Sequence, residues 1–100
     1  MTTTNLFHIA AKLPTAWKSA IVGEPGNSQL KVLRMDGENY PAEVHPFNEA
    51  LLVLEGVMKL EVNGVITEVR AGEVYVVPAG QAHAVASGSH GTLVIIDEAQ

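Results

Sequence analysis

The stretch that decides the fold reads Gly-Glu-Asn-Tyr-Pro-Ala-Glu-Val-His-Pro-Phe-Asn-Glu, from Gly37 to Glu49. Glu43 and His45 are two residues apart, so on a β-strand both side chains would project from the same face. The proline and asparagine that follow predict a bend, which would bring Glu49 on the next strand back beside them. We therefore expect two carboxylates and one imidazole to meet at one place.

A second stretch reads Gly-Glu-Val-Tyr-Val-Val-Pro-Ala-Gly-Gln-Ala-His, from Gly72 to His83. Its pattern predicts a strand, a Pro-x-Gly turn and a returning strand. The returning strand would deliver the imidazole of His83.

The surrounding segments are short and rich in β-forming residues, with turn residues between them. Asn63-Gly64 is the clearest turn, because a two-residue type I′ turn needs a positive φ at both positions. It predicts that Val57 to Val62 pairs with Val65 to Arg70. Alternation along the strands places one apolar set inside the protein: Met58, Leu60, Val62, Leu51, Val53 and, with them, Glu49.

The N-terminal part differs, because apolar residues recur there at helical spacing from Leu6 to Leu13. Thr4 or Asn5 is available as N-cap, and Pro14 ends the pattern. We expect one domain in two parts, a helical arm over 1–20 and an all-β barrel over 21–100.

Composition excludes several classes of protein. Cysteine is absent, so there can be no disulfide or thiolate ligand, and any metal must be held by imidazole and carboxylate. The net charge is −5, and the six Lys and Arg are scattered singly, which argues against binding to nucleic acid or to an anionic membrane. The longest apolar run, Ala50 to Leu54, is far too short to span a bilayer, and the first residues lack the basic region of a signal peptide. We expect a cytoplasmic protein.

The two stretches resemble the two signature motifs of the cupin superfamily. The first motif is Gly, five residues, His-x-His, three or four residues, Glu, six residues, Gly, and the sequence matches it at Gly37, His45, Glu49 and Gly56. The second is Gly, five residues, Pro-x-Gly, two residues, His, three residues, Asn, and it is matched at Gly72, Pro78, Gly80 and His83. Two positions depart from the motifs: Glu43 stands where the first His belongs, and Ser87 where Asn is usual. The resemblance to small single-domain bacterial cupins implies a double-stranded β-helix, or jelly-roll barrel.

The resemblance also implies a divalent metal site, with His45, Glu49 and His83 as ligands and Glu43 as a fourth. Two neutral imidazoles and two carboxylates would leave a bound divalent ion formally neutral, whereas three imidazoles and one carboxylate would leave it with one positive charge. An oxygen-rich set favours Mn²⁺ or Fe²⁺, although imidazole keeps Zn²⁺, Ni²⁺ and Cu²⁺ as alternatives.

Two functions remain open, because cupins include enzymes and binding proteins alike. As an enzyme, the chain would be a metal-dependent dioxygenase or isomerase acting on a small molecule, with Glu43 as general base if it is not a ligand. The alternative is a non-catalytic barrel that binds or senses a small molecule. The apolar composition also predicts a homodimer, with its interface around Leu30 and Val32.

The remaining polar and aromatic residues have ordinary interpretations. His8 and His90 are expected at the surface, and Trp17 is expected to cap the barrel or to lie at a subunit contact. Asp97 and Glu98 are predicted to belong to the solvated surface.

Overall fold

The computed structural model describes residues 3–99. Within them the chain forms one helix and eight strands: α1 (Leu6–Lys12), β1 (Ala20–Gly23), β2 (Ser28–Asp36), β3 (Tyr40–Glu43), β4 (Glu49–Val62), β5 (Val65–Arg70), β6 (Val74–Val77), β7 (His83–Val85) and β8 (His90–Glu98). The all-β class with one short N-terminal helix is confirmed. The division into 1–20 and 21–100 stays a prediction, and its outer ends at residues 1, 2 and 100 lie outside the described residues.

Helix α1 begins and ends where the sequence predicts. The side chain of Asn5 accepts a hydrogen bond from the backbone N–H of His8 at 3.1 Å, which is the usual N-cap interaction. The last residue of α1, Lys12, lies two positions before Pro14. Arg34 of β2 donates from Nη1 to the carbonyls of Ala10 and Leu13, at 2.7 and 3.0 Å, and so ties the end of the helix to the sheet.

The eight strands form one antiparallel sheet in the order β1-β2-β8-β4-β7-β3, with β5 and β6 also paired to β4. Strand β4 is 14 residues long and has partners along both edges. Its first half pairs with β6 and β8, and its second half with β5 and β7. The pairing with β8 shifts register between Val53 and Glu55, which bends the strand. The barrel expected from the sequence is thus formed by one sheet that curls around through β4.

The predicted hairpin between β4 and β5 is confirmed. Val62 pairs with Val65, and the φ angles of Asn63 and Gly64 are 53° and 77°, as a type I′ turn requires. The predicted alternation also holds along β4, where Met58 and Leu60 are fully buried. The same inner face continues through the other strands, and its buried cluster contains Leu33, Met35, Leu51, Val53, Met58, Leu60, Val69, Val77 and Leu93.

A second apolar cluster covers the outer face of the sheet and contains the helix. Ala10 packs on Val32 and Val94, with Leu30 partly buried beside them. Because Val32 has no exposed surface within a single chain, it cannot contribute to the interface for which it was predicted. The homodimer itself stays a prediction.

Two glycines allow β4 and β8 to cross closely. Gly56 pairs with Gly91, and a Cβ atom built on Gly56 would overlap the carbonyl of His90. Gly56 also has a φ of 83°, in the left-handed region that disfavours L side chains. Both the backbone angle and the lack of space therefore demand glycine at this position.

We predict that Gly56→Ala destabilises the fold far more than Gly72→Ala. Gly72 has nearly the same angle, with φ of 86°, but a Cβ there would meet no atom of the described residues within 4 Å. Gly72→Ala, the control, should lower the free energy of unfolding by about 1–2 kcal/mol because of its left-handed angle. Gly56→Ala adds steric overlap with backbone atoms and should lower it by more than about 3 kcal/mol. Urea unfolding followed by circular dichroism measures both. Equal losses for the two variants would contradict the close crossing.

Candidate metal centre

The two motif segments meet through pairing of short strands. Glu43, the last residue of β3, pairs with His83, the first residue of β7. Glu49 begins β4 and pairs with Val77, just before the Pro-x-Gly turn. The side chains of Glu43, His83 and Glu49 are therefore brought to one end of the barrel by the backbone hydrogen bonds of neighbouring strands.

His45 reaches the same place from a loop, which corrects one step of the sequence analysis. Glu43 and His45 do not share a strand face, because β3 ends at Glu43. Proline has no N–H to donate to a strand ladder, so Pro46 disfavours further pairing of this segment. The loop is held instead by the Pro-x-Gly turn, since the N–H of Gly80 donates to the His45 carbonyl at 2.8 Å.

A second hydrogen bond fixes this loop, from the N–H of Ala79 to Oδ1 of Asn48 at 2.9 Å. The ring of Phe47 stacks on that of His45, with centroids 5.0 Å apart. The loop that carries His45 is thus joined to the turn that precedes His83, and the two motifs form one structural unit.

All four predicted ligand residues converge. Nε2 of His45 lies 2.9 Å from Oε2 of Glu43 and 3.9 Å from Oε2 of Glu49, and Nε2 of His83 lies 3.2 Å from Oε1 of Glu49. Donor atoms of Glu43, His45 and His83 lie within 4.8 Å of one another. Ligand atoms bound at about 2.1 Å from a common ion are separated by about 3 Å or slightly more, so Glu43, His45 and His83 suit one metal. Glu49 is not part of that group of three, although it contacts His83 and lies 3.9 Å from His45.

Two further features fit a metal better than a simple network of charge pairs. Nδ1 of His83 lies 3.1 Å from the carbonyl of Gln81, and an N–H there would leave Nε2 with a free lone pair facing the site. Nε2 of His45 is buried, and among residues 3–99 it finds no hydrogen-bond partner, because its short approach to Glu43 lacks the direction of a hydrogen bond. A cation at this point would satisfy the orphaned nitrogen.

The four side chains differ in exposure. Glu49 and His83 are 7% exposed, so neither is a solvated group at the rim of the barrel. The side chains of Glu43 and His45 are 39% and 24% exposed. The Glu43 carboxylate raises the pKa of the Tyr40 hydroxyl beside it, through its charge first and through a hydrogen bond as well. Glu43 is therefore the most accessible carboxylate of the site.

A cavity of about 200 Å³ opens beside these residues inside the barrel. Its walls are largely apolar and include Leu33, Leu51, Met58, Leu93 and Ile95, and Trp17, Tyr40 and Phe47 also line it. Trp17 packs against the barrel core, as expected, and its Nε1 donates to Oδ1 of Asp36 at 2.7 Å. This hydrogen bond is the main reason why the pKa of Asp36 is lowered.

Two polar residues of the same cavity, Lys31 and Asp97, were not predicted as site residues from the sequence. Asp97, predicted on the solvated surface, is 5% exposed, and Lys31 forms an ion pair with it at 2.8 Å. Both line the cavity with the metal-site residues. Alternation could have placed them inside, because Lys31 lies two residues before Leu33 on β2 and Asp97 two residues after Ile95 on β8. The histidines predicted at the surface, His8 and His90, are exposed.

Comparison with known proteins agrees with the fold. The model of the cupin-2 family, described as a cupin domain, matches residues 32–97. No curated protein matches this chain.

Among residues 3–99 no helix has the length and apolar character needed to cross a bilayer.

Solved structures of small bacterial proteins superpose over almost the whole chain. A cupin-2 domain protein from Shewanella frigidimarina has a TM-score of 0.87 at 21% identity, over 96% of this chain and 94% of its own. A protein from Neisseria meningitidis has a TM-score of 0.82 at 26% identity, over 98% of this chain and 100% of its own. A proposed mannose-6-phosphate isomerase from Ralstonia eutropha has a TM-score of 0.77 at 22% identity, with full coverage of both chains.

These likenesses concern the barrel and leave the chemistry of its interior to the residues described above. The family match spans β2 to β8 and includes both motif segments. On this evidence, the chain belongs to the cupin-2 family.

Proposed function

We propose that this cupin is a divalent-metal-dependent enzyme that acts on a small molecule, by chemistry of the dioxygenase or isomerase type. The observation that carries the proposal is the buried, unpartnered Nε2 of His45, which lies among three other donor residues beside a cavity. His45, His83, Glu49 and Glu43 would hold the ion. The likeness to an isomerase of Ralstonia eutropha supports the fold alone.

When bound, a divalent ion would supply Lewis-acid chemistry, and in the case of a redox-active metal also oxygen activation. The chain's own residues perform the remaining tasks. His83 is oriented through its contact with the Gln81 carbonyl, and Glu49, buried at the head of β4, lies against the imidazole of His83. The apolar walls would exclude bulk water around a bound substrate.

The choice of metal follows from the donors. Two carboxylates beside two imidazoles favour Mn²⁺ or Fe²⁺ over softer ions, and Zn²⁺, Ni²⁺ and Cu²⁺ remain alternatives because each binds imidazole well. Glu43 has two candidate roles. It is close enough to His45 to share an ion with it, and it is exposed enough to act as a general base toward a substrate in the cavity.

We predict that divalent metal raises the melting temperature and that ligand variants lose this effect. Binding to the folded state alone contributes about 2.7 kcal/mol when free metal is a hundredfold over Kd, which corresponds to about 10 °C or more in a domain of this size. His45→Ala and His83→Ala should abolish the shift, and Glu49→Gln should reduce it strongly. His8→Ala is the matched control, because His8 is exposed on α1, and it should keep the full shift. A full shift in the three site variants would show that the site is misplaced.

Variants of Glu43 distinguish a ligand from a base. If Glu43 is a ligand, Glu43→Gln should weaken metal binding at least about tenfold. If Glu43 is instead the general base, Glu43→Gln should leave the metal affinity unchanged and suppress only turnover. Glu43→His restores the residue usual in the motif, and it should keep or raise the affinity for Zn²⁺ and Ni²⁺ if the position contacts the ion. Isothermal titration calorimetry measures both variants. Unchanged Zn²⁺ affinity in Glu43→Gln together with weakened affinity in Glu43→His would exclude Glu43 as a ligand.

Turnover separates an enzyme from a non-catalytic binding protein. We expect that any substrate conversion by the purified protein stops when a chelator removes the metal and returns when the metal is restored. Mass spectrometry of small-molecule mixtures incubated with and without chelator measures this. A protein that holds metal and a small molecule but converts none of the compounds it binds would be a sensor or carrier instead.

A further inference from the structure

We infer that the Lys31–Asp97 pair is a binding site for a hydroxyl group of an uncharged, hydroxylated small molecule that occupies the barrel cavity. The inference rests on the proposed metal-dependent function and names the class of its substrate. It concerns residues that belong to neither motif and lie outside the set of predicted ligands.

The pair lies next to the metal centre. Ala50 pairs with Ile96 and Leu51 with Ile95, so one step further along the same register places Glu49 beside Asp97. Both carboxylates are buried, and both line the cavity. Cross-strand neighbours of this kind have Cβ atoms about 5 Å apart, so one small molecule can contact both groups.

A contribution to the stability of the fold does not explain why this ion pair is buried. The side chains of Lys31 and Asp97 are 18% and 2% exposed, and they stand among apolar neighbours such as Leu33, Leu93 and Ile95. Removing two charges from water costs about as much as their mutual attraction returns, and apolar residues of similar size are often as stable or more stable. The fold therefore gains little from this pair by itself.

The hydrogen bonding of Asp97 is incomplete. Its Oδ2 contacts Nζ of Lys31 at 2.8 Å, while its Oδ1 is buried and has no hydrogen-bond partner within residues 3–99. A buried acceptor without a donor is costly and uncommon in a native structure. The donor that completes it has to come from the cavity that Asp97 lines.

A hydroxyl group matches what the pair offers. Asp97 presents a free acceptor at Oδ1, and the Lys31 ammonium has three N–H donors, of which the contact with Oδ2 uses one. A hydroxyl both donates and accepts, so it can bond to Asp97 and Lys31 together. A carboxylate on the ligand would instead face the Asp97 oxygen as a second acceptor.

The charge of the cavity also favours an uncharged ligand. Lys31 and Asp97 compensate each other, and a divalent ion would compensate Glu43 and Glu49. The lining is then formally neutral, and nothing in it selects for a charged molecule. The apolar walls suit a carbon skeleton. The volume of about 200 Å³ is slightly larger than the roughly 150 Å³ that accepts benzene, so it suits a molecule of about six to ten heavy atoms.

The test is an NMR titration of this 10.6 kDa protein with xylitol, an uncharged polyol, and with lactate as the anionic comparison. Backbone amide spectra are recorded for the metal-free and the Zn²⁺-loaded protein, because Zn²⁺ keeps the signals sharp. The double variant Lys31→Met/Asp97→Leu replaces the pair with apolar residues of similar size. We expect xylitol to shift the amide signals of Lys31 and Asp97 in the parent, and the double variant to bind it about tenfold or more weakly, with unchanged melting temperature and Zn²⁺ affinity.

A second variant keeps the test decisive if the double variant fails to fold. Asp97→Asn retains the size of the side chain and an oxygen toward Lys31, but replaces the free acceptor with an N–H₂ donor, so xylitol affinity should again fall about tenfold. The inference is overturned if xylitol leaves the parent spectra unchanged, or if parent and variants bind it equally. Tighter binding of lactate than of xylitol, lost in the double variant, would overturn the uncharged class. A parent that binds xylitol but no Zn²⁺ would contradict the proposed metal function and leave the Lys31–Asp97 site intact.

Discussion

Strand β4 has backbone hydrogen-bond partners along both edges, and this pairing determines what the barrel can contain. Because β6, β8, β5 and β7 all pair with it, the strand cannot rotate or slip without breaking several ladders at once. Its alternation therefore places Glu49 inside together with Leu51 and Val53, and the register shift between Val53 and Glu55 passes the inward face to Met58 and Leu60. The bend that lets one strand serve both halves of the sheet depends on the close crossing of Gly56 and Gly91.

A carboxylate held inside a barrel in this way needs compensation. Glu49 is in contact with His83 and within reach of His45, and Nε2 of His45 still has no hydrogen-bond partner among residues 3–99. On the neighbouring strand, Asp97 is compensated by Lys31 on one oxygen only. His45 and Asp97 thus each have one buried polar atom that lacks a hydrogen-bond partner among residues 3–99, and both residues line the same cavity. Incomplete polar networks of this kind weaken a fold and are typical of sites that complete themselves with an ion or a ligand.

Local signals in the sequence predicted much of this structure. The Asn63-Gly64 turn, a cap at Thr4 or Asn5 and the inward-facing positions of β4 depend on a few adjacent residues. The turn and the inward positions are confirmed, and the structure has Asn5 as the cap. The loop position of His45 was not predicted, because a two-residue spacing does not reveal that β3 ends at Glu43 or that the His45 carbonyl bonds to Gly80 of the distant Pro-x-Gly turn. Asp97 was assigned to the surface with Glu98, although alternation with Ile95 places it on the inner face; its ion pair with Lys31 depends on the register of β2 with β8, which the sequence does not give. The burial of Val32 under α1 was not predicted either, because it depends on packing between residues that are far apart in the sequence.

The central claim is that the four convergent residues hold a divalent ion. Elemental analysis of the protein purified without an affinity tag tests it most directly, with the double variant His45→Ala/His83→Ala prepared in parallel. The account predicts about one equivalent of a transition metal per chain in the parent, with Mn or Fe as the favoured element, and almost none in the variant. Equal metal content in the two proteins, or none in the parent after dialysis against each candidate ion, would contradict it.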